Sequence, residues 1–157
     1  MKLNLGSGKR NLEGFINIDA VKQTDTTTIG DILNLNYKDN SIDEIYSEHV
    51  IEHLTKIELN RYFTEANRML VSGGRFNLIA PSMVSAIDLY LKDIENIDWL
   101  DSFLFANHIH EFDFHKQGIY KEKLFRLCKE NGFNVISCEF QDREFSICEI
   151  KLEAIKT

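Results

Sequence analysis

One proline and eight glycines are the only strong chain-breakers in these 157 residues. With so few, each marks a place where the backbone must turn, and the stretches between them must run as regular elements. Lys2–Gly6 alternates apolar and polar side chains and breaks into Gly6-Ser7-Gly8, a strand running straight into a loop. Phe15–Asp19 reads as a second short strand, Thr26–Ile29 as a third ending at Gly30-Asp31, and Ile42–Ser47 as a fourth opened by an Asp39-Asn40-Ser41 turn.

Beyond the fourth strand the period changes. Ile57, Leu59, Phe63, Ala66, Met69 and Leu70 recur at helical spacing, so Thr55–Leu70 is expected to be a helix with Thr55 as N-cap and Glu58 completing a capping box. Ser72-Gly73-Gly74 is expected to stop it, with Arg75–Ala80 as a fifth strand ending at Pro81. Residues 83–105 read as helical, Tyr120–Asn131 as an amphipathic helix stopped by Gly132, and Phe133–Phe140 with Phe145–Ile155 as an antiparallel hairpin around a Gln141–Glu144 turn. The expected architecture is one α/β domain over residues 1–157, with a mostly parallel sheet closed by the C-terminal hairpin; no repeat or linker divides it. Ligands in such sheets bind outside the carboxyl ends of the strands, so the residues after each strand are the ones to weigh.

Charge narrows the partners. Lys+Arg number 18 against 25 Asp+Glu, a formal net charge of −7. That balance disfavours nucleic acid, which needs a basic footprint, and anionic membrane surfaces. Cys128, Cys138 and Cys148 form no C-x-x-C pair and read as reduced structural thiols. No apolar run is long enough for a signal peptide or a membrane span, so a cytoplasmic location is expected.

Gly6-Ser7-Gly8 permits a tight turn and close approach of backbone to a ligand, and Asp19 at the end of the second strand is placed to accept from a ribose diol. The dinucleotide fingerprint is incomplete: the third glycine is absent, Lys9–Gly14 is too short for a helix, and Asp19 follows Gly6 by 13 residues. A phosphate-free nucleoside carrying a cationic sulfonium suits this loop and this charge, which points to S-adenosylmethionine (SAM) rather than NAD.

Several segments then resemble the class I SAM-dependent methyltransferases, in particular the short type-11-like ones: KLNLGSG, FINIDA, GDILNLNYKDNSIDEIYSEHVIEHL, MLVSGGRFNLIAPS and LFRLCKENGFNVI, in that order along nearly the whole chain. The resemblance implies a Rossmann-like sheet. It also implies that the loop Asn4, Leu5, Gly6, Ser7 and Gly8 passes under the methionine moiety, that Asp19 binds the ribose, and that Ala20 packs on adenine. Asp31 and the Ile32 amide would contact the adenine edge, and the backbone of Ser47, Glu48 and His49 would hold the methionine amino group. The chain departs from the family in lacking the N-terminal helices and nearly all of the helix between the first two strands, so a second subunit is a candidate cover for the cofactor. Residues 83–115 fall where the family carries its acceptor-site insertion or lid, and the acceptor is expected to be a small molecule or a glycan.

The five histidines fall in two places, His49 and His53 after the fourth strand and His108, His110 and His115 beyond the fifth. His49 and His110 are the candidate general bases for a hydroxyl acceptor. His49-Val50-Ile51-Glu52-His53 also fits H-x-x-E-H, the pattern that sets two imidazoles on one helix face in certain zinc peptidases. A zinc hydrolase would leave the glycine loop unexplained, and a metal-assisted acceptor site using His49, Glu52, His53 and one later histidine is the nearer alternative. The favoured reading needs no metal. A SAM-binding protein without transferase activity is the other rival.

Overall fold

The computed structural model describes residues 1–92, 98–109, 112–143 and 147–157. Its strands are β1 (Lys2–Leu5), β2 (Ile16–Asp19), β3 (Thr28–Ile29), β4 (Ile42–Glu48), β5 (Leu70–Pro81), β6 (Phe133–Arg143) and β7 (Ile147–Lys156). They form one seven-stranded sheet in the order β3-β2-β1-β4-β5-β7-β6. Neighbours from β3 to β5 pair in parallel, and β7 runs antiparallel to both β5 and β6. A 3-10 turn (Ile51–His53) follows β4; the helices are α1 (Lys56–Met69), α2 (Met83–Lys92), α3 (Asp98–Phe105) and α4 (Lys121–Glu130).

Leu3, Leu5 and Ile45 share the covered face of the central strands and are fully buried, whereas Lys2, Glu44 and Tyr46 on the opposite face are exposed or half-buried. The expected capping box opens α1: Thr55 Oγ1 accepts from the Glu58 amide, and Glu58 Oε2 accepts from the Thr55 amide at 2.7 Å. Its buried stripe is Leu59, Tyr62, Phe63, Ala66 and Met69. Phe63 meets Phe76 of β5 edge-on at 5.2 Å, and Phe76 stacks on Phe133 of β6 at 4.8 Å. Each such ring contributes about 1.5–3 kcal/mol by leaving water. Ile57, expected on this stripe, is 84 % exposed, because it lies on the opposite side of the helix from Leu59 and Phe63.

Several boundaries moved. Helix α1 ends as Leu70 turns extended (ψ 144), and β5 begins at once, so the glycines do not stop the helix. They instead form a bulge between the Ile42–Leu70 and Glu44–Arg75 pairs, where Gly73 takes φ +74 and a Cβ on Gly74 would sit 2.8 Å from the Val71 carbonyl. The single helix expected over 83–105 is α2 and α3, with residues 93–97 outside those described. The hairpin strand β6 runs through Gln141–Arg143, residues read as turn, because cross-strand pairing with β7 continues to Arg143–Ile147; residues 144–146 lie outside the described set.

The short link from β1 to β2 has no helix, as expected, and polar side chains do the work of one. Asn4 and Asn17 are direct register partners on the two parallel strands. Asn4 Nδ2 donates to Asn17 Oδ1 at 2.8 Å and to the Arg10 carbonyl at 2.9 Å, while Asn17 Oδ1 also accepts from the Leu12 amide at 2.9 Å. Both are buried. The loop is thereby pinned at Arg10 and Leu12 to the strands that it joins.

Candidate active site

Parallel pairing places the carboxyl ends of β1, β2 and β4 side by side, and the expected cofactor residues gather there. The Gly6 and Ser7 amides both donate to the Ile18 carbonyl, at 2.8 and 3.0 Å, which folds the loop over the end of β2. Gly6 takes φ +68, and a Cβ there would stand 2.2 Å from Val50 Cγ2, so this position requires glycine twice over. Gly8 takes φ +52, with open space where its Cβ would be. Between them the Ser7 hydroxyl is buried and finds no hydrogen-bond partner among the described residues. A buried hydroxyl without a partner is uncommon, and it sits between the two glycines of the loop.

Asp19 is half-buried. Its Oδ2 accepts from the Gly8 amide at 2.8 Å and its Oδ1 from the Val21 amide at 2.9 Å, and each oxygen keeps a further lone pair for a diol. Ala20 is exposed beside it. Through β3, the Gly30 amide donates to the Asp19 carbonyl at 2.9 Å, bringing Asp31 and Ile32 alongside. Asp31 is exposed and Ile32 half-buried; Asp31 Oδ1 caps the Leu33 amide at 2.9 Å. On the other flank, Arg10 reaches from the loop to pair with Glu48, which also accepts from the Tyr46 hydroxyl at 2.6 Å. Ser47 is buried with its hydroxyl on Tyr62, so its side chain serves the core.

His49 follows β4 at φ +54, a strained conformation for a residue with a side chain, and its amide donates to the Ile79 carbonyl at 2.9 Å. Nε2 lies 2.7 Å from Glu149 Oε1 and Nδ1 3.3 Å from Glu52 Oε1, the latter an ion pair too poorly aligned to be a hydrogen bond. Burial alone would depress the imidazole, but the two buried carboxylates outweigh it and lift its pKa from 6.5 to about 9. The two carboxylates thus favour the imidazolium form of His49 at neutral pH. His110, the other expected base, lies outside the described residues.

The H-x-x-E-H segment does not form the continuous helix that its peptidase counterpart needs. It breaks at His49, and only Ile51–His53 make a 3-10 turn, so His49 and His53 do not share a helix face. Glu149, whose partner His49 precedes it by 100 residues, was missed in the sequence. Beyond β5, a cavity of about 160 Å³ is walled by Met83, Phe103, Phe105, Glu52, His115 and neighbours. The aromatics Phe105, Phe112 and Phe114 of this segment are 54 %, 48 % and 42 % exposed.

Residues 13–78 match the family model described as a methyltransferase domain. Among solved structures, a SAM-dependent methyltransferase from Methanosarcina mazei superposes with a TM-score of 0.76 at 15 % identity, covering 99 % of this chain and 91 % of its own. The Burkholderia thailandensis 1,6-didemethyltoxoflavin-N1-methyltransferase, bound to its substrate and S-adenosylhomocysteine, gives 0.69 at 12 % identity over 99 % and 70 %. The magnesium protoporphyrin IX methyltransferase of Synechocystis with bound S-adenosylhomocysteine gives 0.66 at 15 % identity over 100 % and 74 %. No curated protein matches. The fold is that of the class I SAM-dependent methyltransferases. No helix among the described residues is long and apolar enough to cross a membrane.

Proposed function

We propose that the chain binds SAM and transfers its methyl group to a small molecule or glycan. The observation that carries this reading is the convergence, at one sheet edge, of the strained glycine loop, the orphaned Ser7 hydroxyl and the Asp19 carboxylate. Asn4, Leu5, Gly6, Ser7 and Gly8 would hold the methionine end, Asp19 the ribose hydroxyls, and Ala20, Asp31 and Ile32 the adenine, with the backbone of Ser47, Glu48 and His49 on the far flank. When bound, the cofactor supplies an electrophilic methyl on a sulfonium, so positioning provides much of the acceleration. His49, held cationic by Glu52 and Glu149, positions the turn after β4 and takes no proton from the acceptor. His110 is the remaining candidate base for a hydroxyl acceptor.

A small acceptor is supported by the neighbours that act on toxoflavin and porphyrin precursors and by the charge of −7, which disfavours nucleic acid. Met83, Phe103, Leu104, Phe105 and His115 border the cavity, and residues 83–115 are the candidate acceptor lid. A second copy of the chain remains a candidate cover for the loop side of the site. Calorimetric titration with S-adenosylhomocysteine tests the reading: micromolar-range binding is expected, and neither heat nor a thermal shift would sink it. Incorporation of labelled methyl from SAM into a metabolite extract separates a transferase from a protein that only binds the cofactor.

A further inference from the structure

Glu52, His53 and His115 meet from two segments far apart in sequence, and one ligating atom from each lies within 4.8 Å of the other two. Glu52 is 2 % exposed, yet neither of its oxygens makes a hydrogen bond among the described residues. Oε1 faces the His49 ring at 3.3 Å without a hydrogen bond, and Oε2 has no partner among the described residues, an unusual state for a buried carboxylate. We propose that Glu52, His53 and His115 bind a divalent transition-metal ion, with its open coordination position facing the cavity that Glu52 and His115 line.

The two rings are already set for ligation. His53 Nδ1 lies 3.1 Å from the Phe114 carbonyl, and His115 Nδ1 2.6 Å from the Phe103 carbonyl. A carbonyl only accepts, so each Nδ1 carries a proton and Nε2 is the nitrogen left to ligate. Ring N–H to backbone carbonyl is the arrangement that orients metal-bound imidazoles. The frame is held as well: the Lys116 amide donates to the Glu52 carbonyl at 2.8 Å, and Gln117 Nε2 to the Leu54 carbonyl at 2.6 Å, tying the His115 segment to the turn that bears Glu52 and His53.

His49 is not part of this set, its nitrogens lying against Glu52 Oε1 and Glu149 Oε1, so the set differs from the one the H-x-x-E-H pattern would give. Two histidines and one carboxylate with a vacant position suit zinc or iron(II). Bonds of about 2.0–2.2 Å bring ligand atoms to roughly 3.4 Å apart, so the side chains draw in by about an ångström on binding. That the ion would hold an oxygen of the acceptor rests on the methyltransferase reading; ion binding does not.

Chelator-treated protein titrated with Co²⁺, followed by visible ligand-field absorption, tests the site, with Zn²⁺ as competitor. One saturable equivalent displaced by Zn²⁺ is expected, lost in His53→Ala and in His115→Ala while circular dichroism stays native. Should an alanine variant fail to fold, His115→Gln keeps a donor for the Phe103 carbonyl and is expected to weaken Co²⁺ binding and change its absorption. No saturable binding in the wild type, or full binding in these variants, overturns the proposal. S-adenosylhomocysteine titration of the same samples keeps the two readings apart: cofactor binding without Co²⁺ binding overturns the metal site alone, and Co²⁺ binding without cofactor binding supports it while sinking the methyltransferase.

Discussion

Glu149 Oε1, on a residue with no exposed surface, stands 2.7 Å from His49 Nε2, so the first turn after β4 is tied to the start of β7 through an ion pair. The folded pKa of His49 is raised to about 9 from 6.5. Its stabilisation is therefore fully present below pH 6.5, declines from there, and is gone once the pH has risen through about 9. Denaturant midpoints measured across that range should fall with rising pH in the wild type. In His49→Gln this component should vanish, and the variant should lose about 3 kcal/mol at neutral pH, since both carboxylates then lack their cation. Parallel pH profiles for the two proteins would refute the assignment.

Asp19→Ala should weaken S-adenosylhomocysteine roughly 10–100-fold, the value of about 1.5–3 kcal/mol for hydrogen bonds to a charged acceptor. Asp19→Asn is not expected to restore it. Both carboxylate oxygens already accept a backbone amide, from Gly8 and Val21, so an amide nitrogen at either position would face another donor. Calorimetry on the two variants checks this, and wild-type affinity in Asp19→Asn would contradict it.

Gly6→Ala should cost about 1–2 kcal/mol from the left-handed backbone alone, with the Val50 contact added to it. Because the clash is with one side chain, Val50→Ala should recover part of the loss. Thermal unfolding of both single variants and the double variant forms the cycle. Strict additivity would show that Val50 is not the obstacle.

Asn17→Ala should destabilise the protein by about 1–3 kcal/mol, because the Leu12 amide and one hydrogen of the Asn4 side chain lose their acceptor. Cofactor affinity should fall with it, as the loop from Gly6 to Gly14 loses its anchor. An unchanged denaturation midpoint would remove Asn17 from this role.

What the sequence revealed was local. The capping box at Thr55 and Glu58 lies within four residues, and Asp19 sits at a strand end next to a glycine loop in register. Tyr62 was also within reach, since Leu59, Tyr62, Phe63 and Ala66 share one helical stripe. Glu149 was not. It shares a strand face with Lys151 and Glu153, which are partly exposed, and only the return of β7 beside Pro81 and the turn after β4 buries it. The Ser72-Gly73-Gly74 bulge was hidden for a similar reason: glycines after a helix read as its stop until the pairing of β4 with β5 is known.

The asparagine brace between β1 and β2 has a consequence for how the molecule opens. A crossover helix would have joined the cofactor loop to the core through apolar burial, making the two cooperative. Hydrogen bonds to Arg10 and Leu12 couple it far less tightly. The loop is thus expected to exchange its amides with solvent by sub-global opening while the Phe63, Phe76 and Phe133 cluster stays closed.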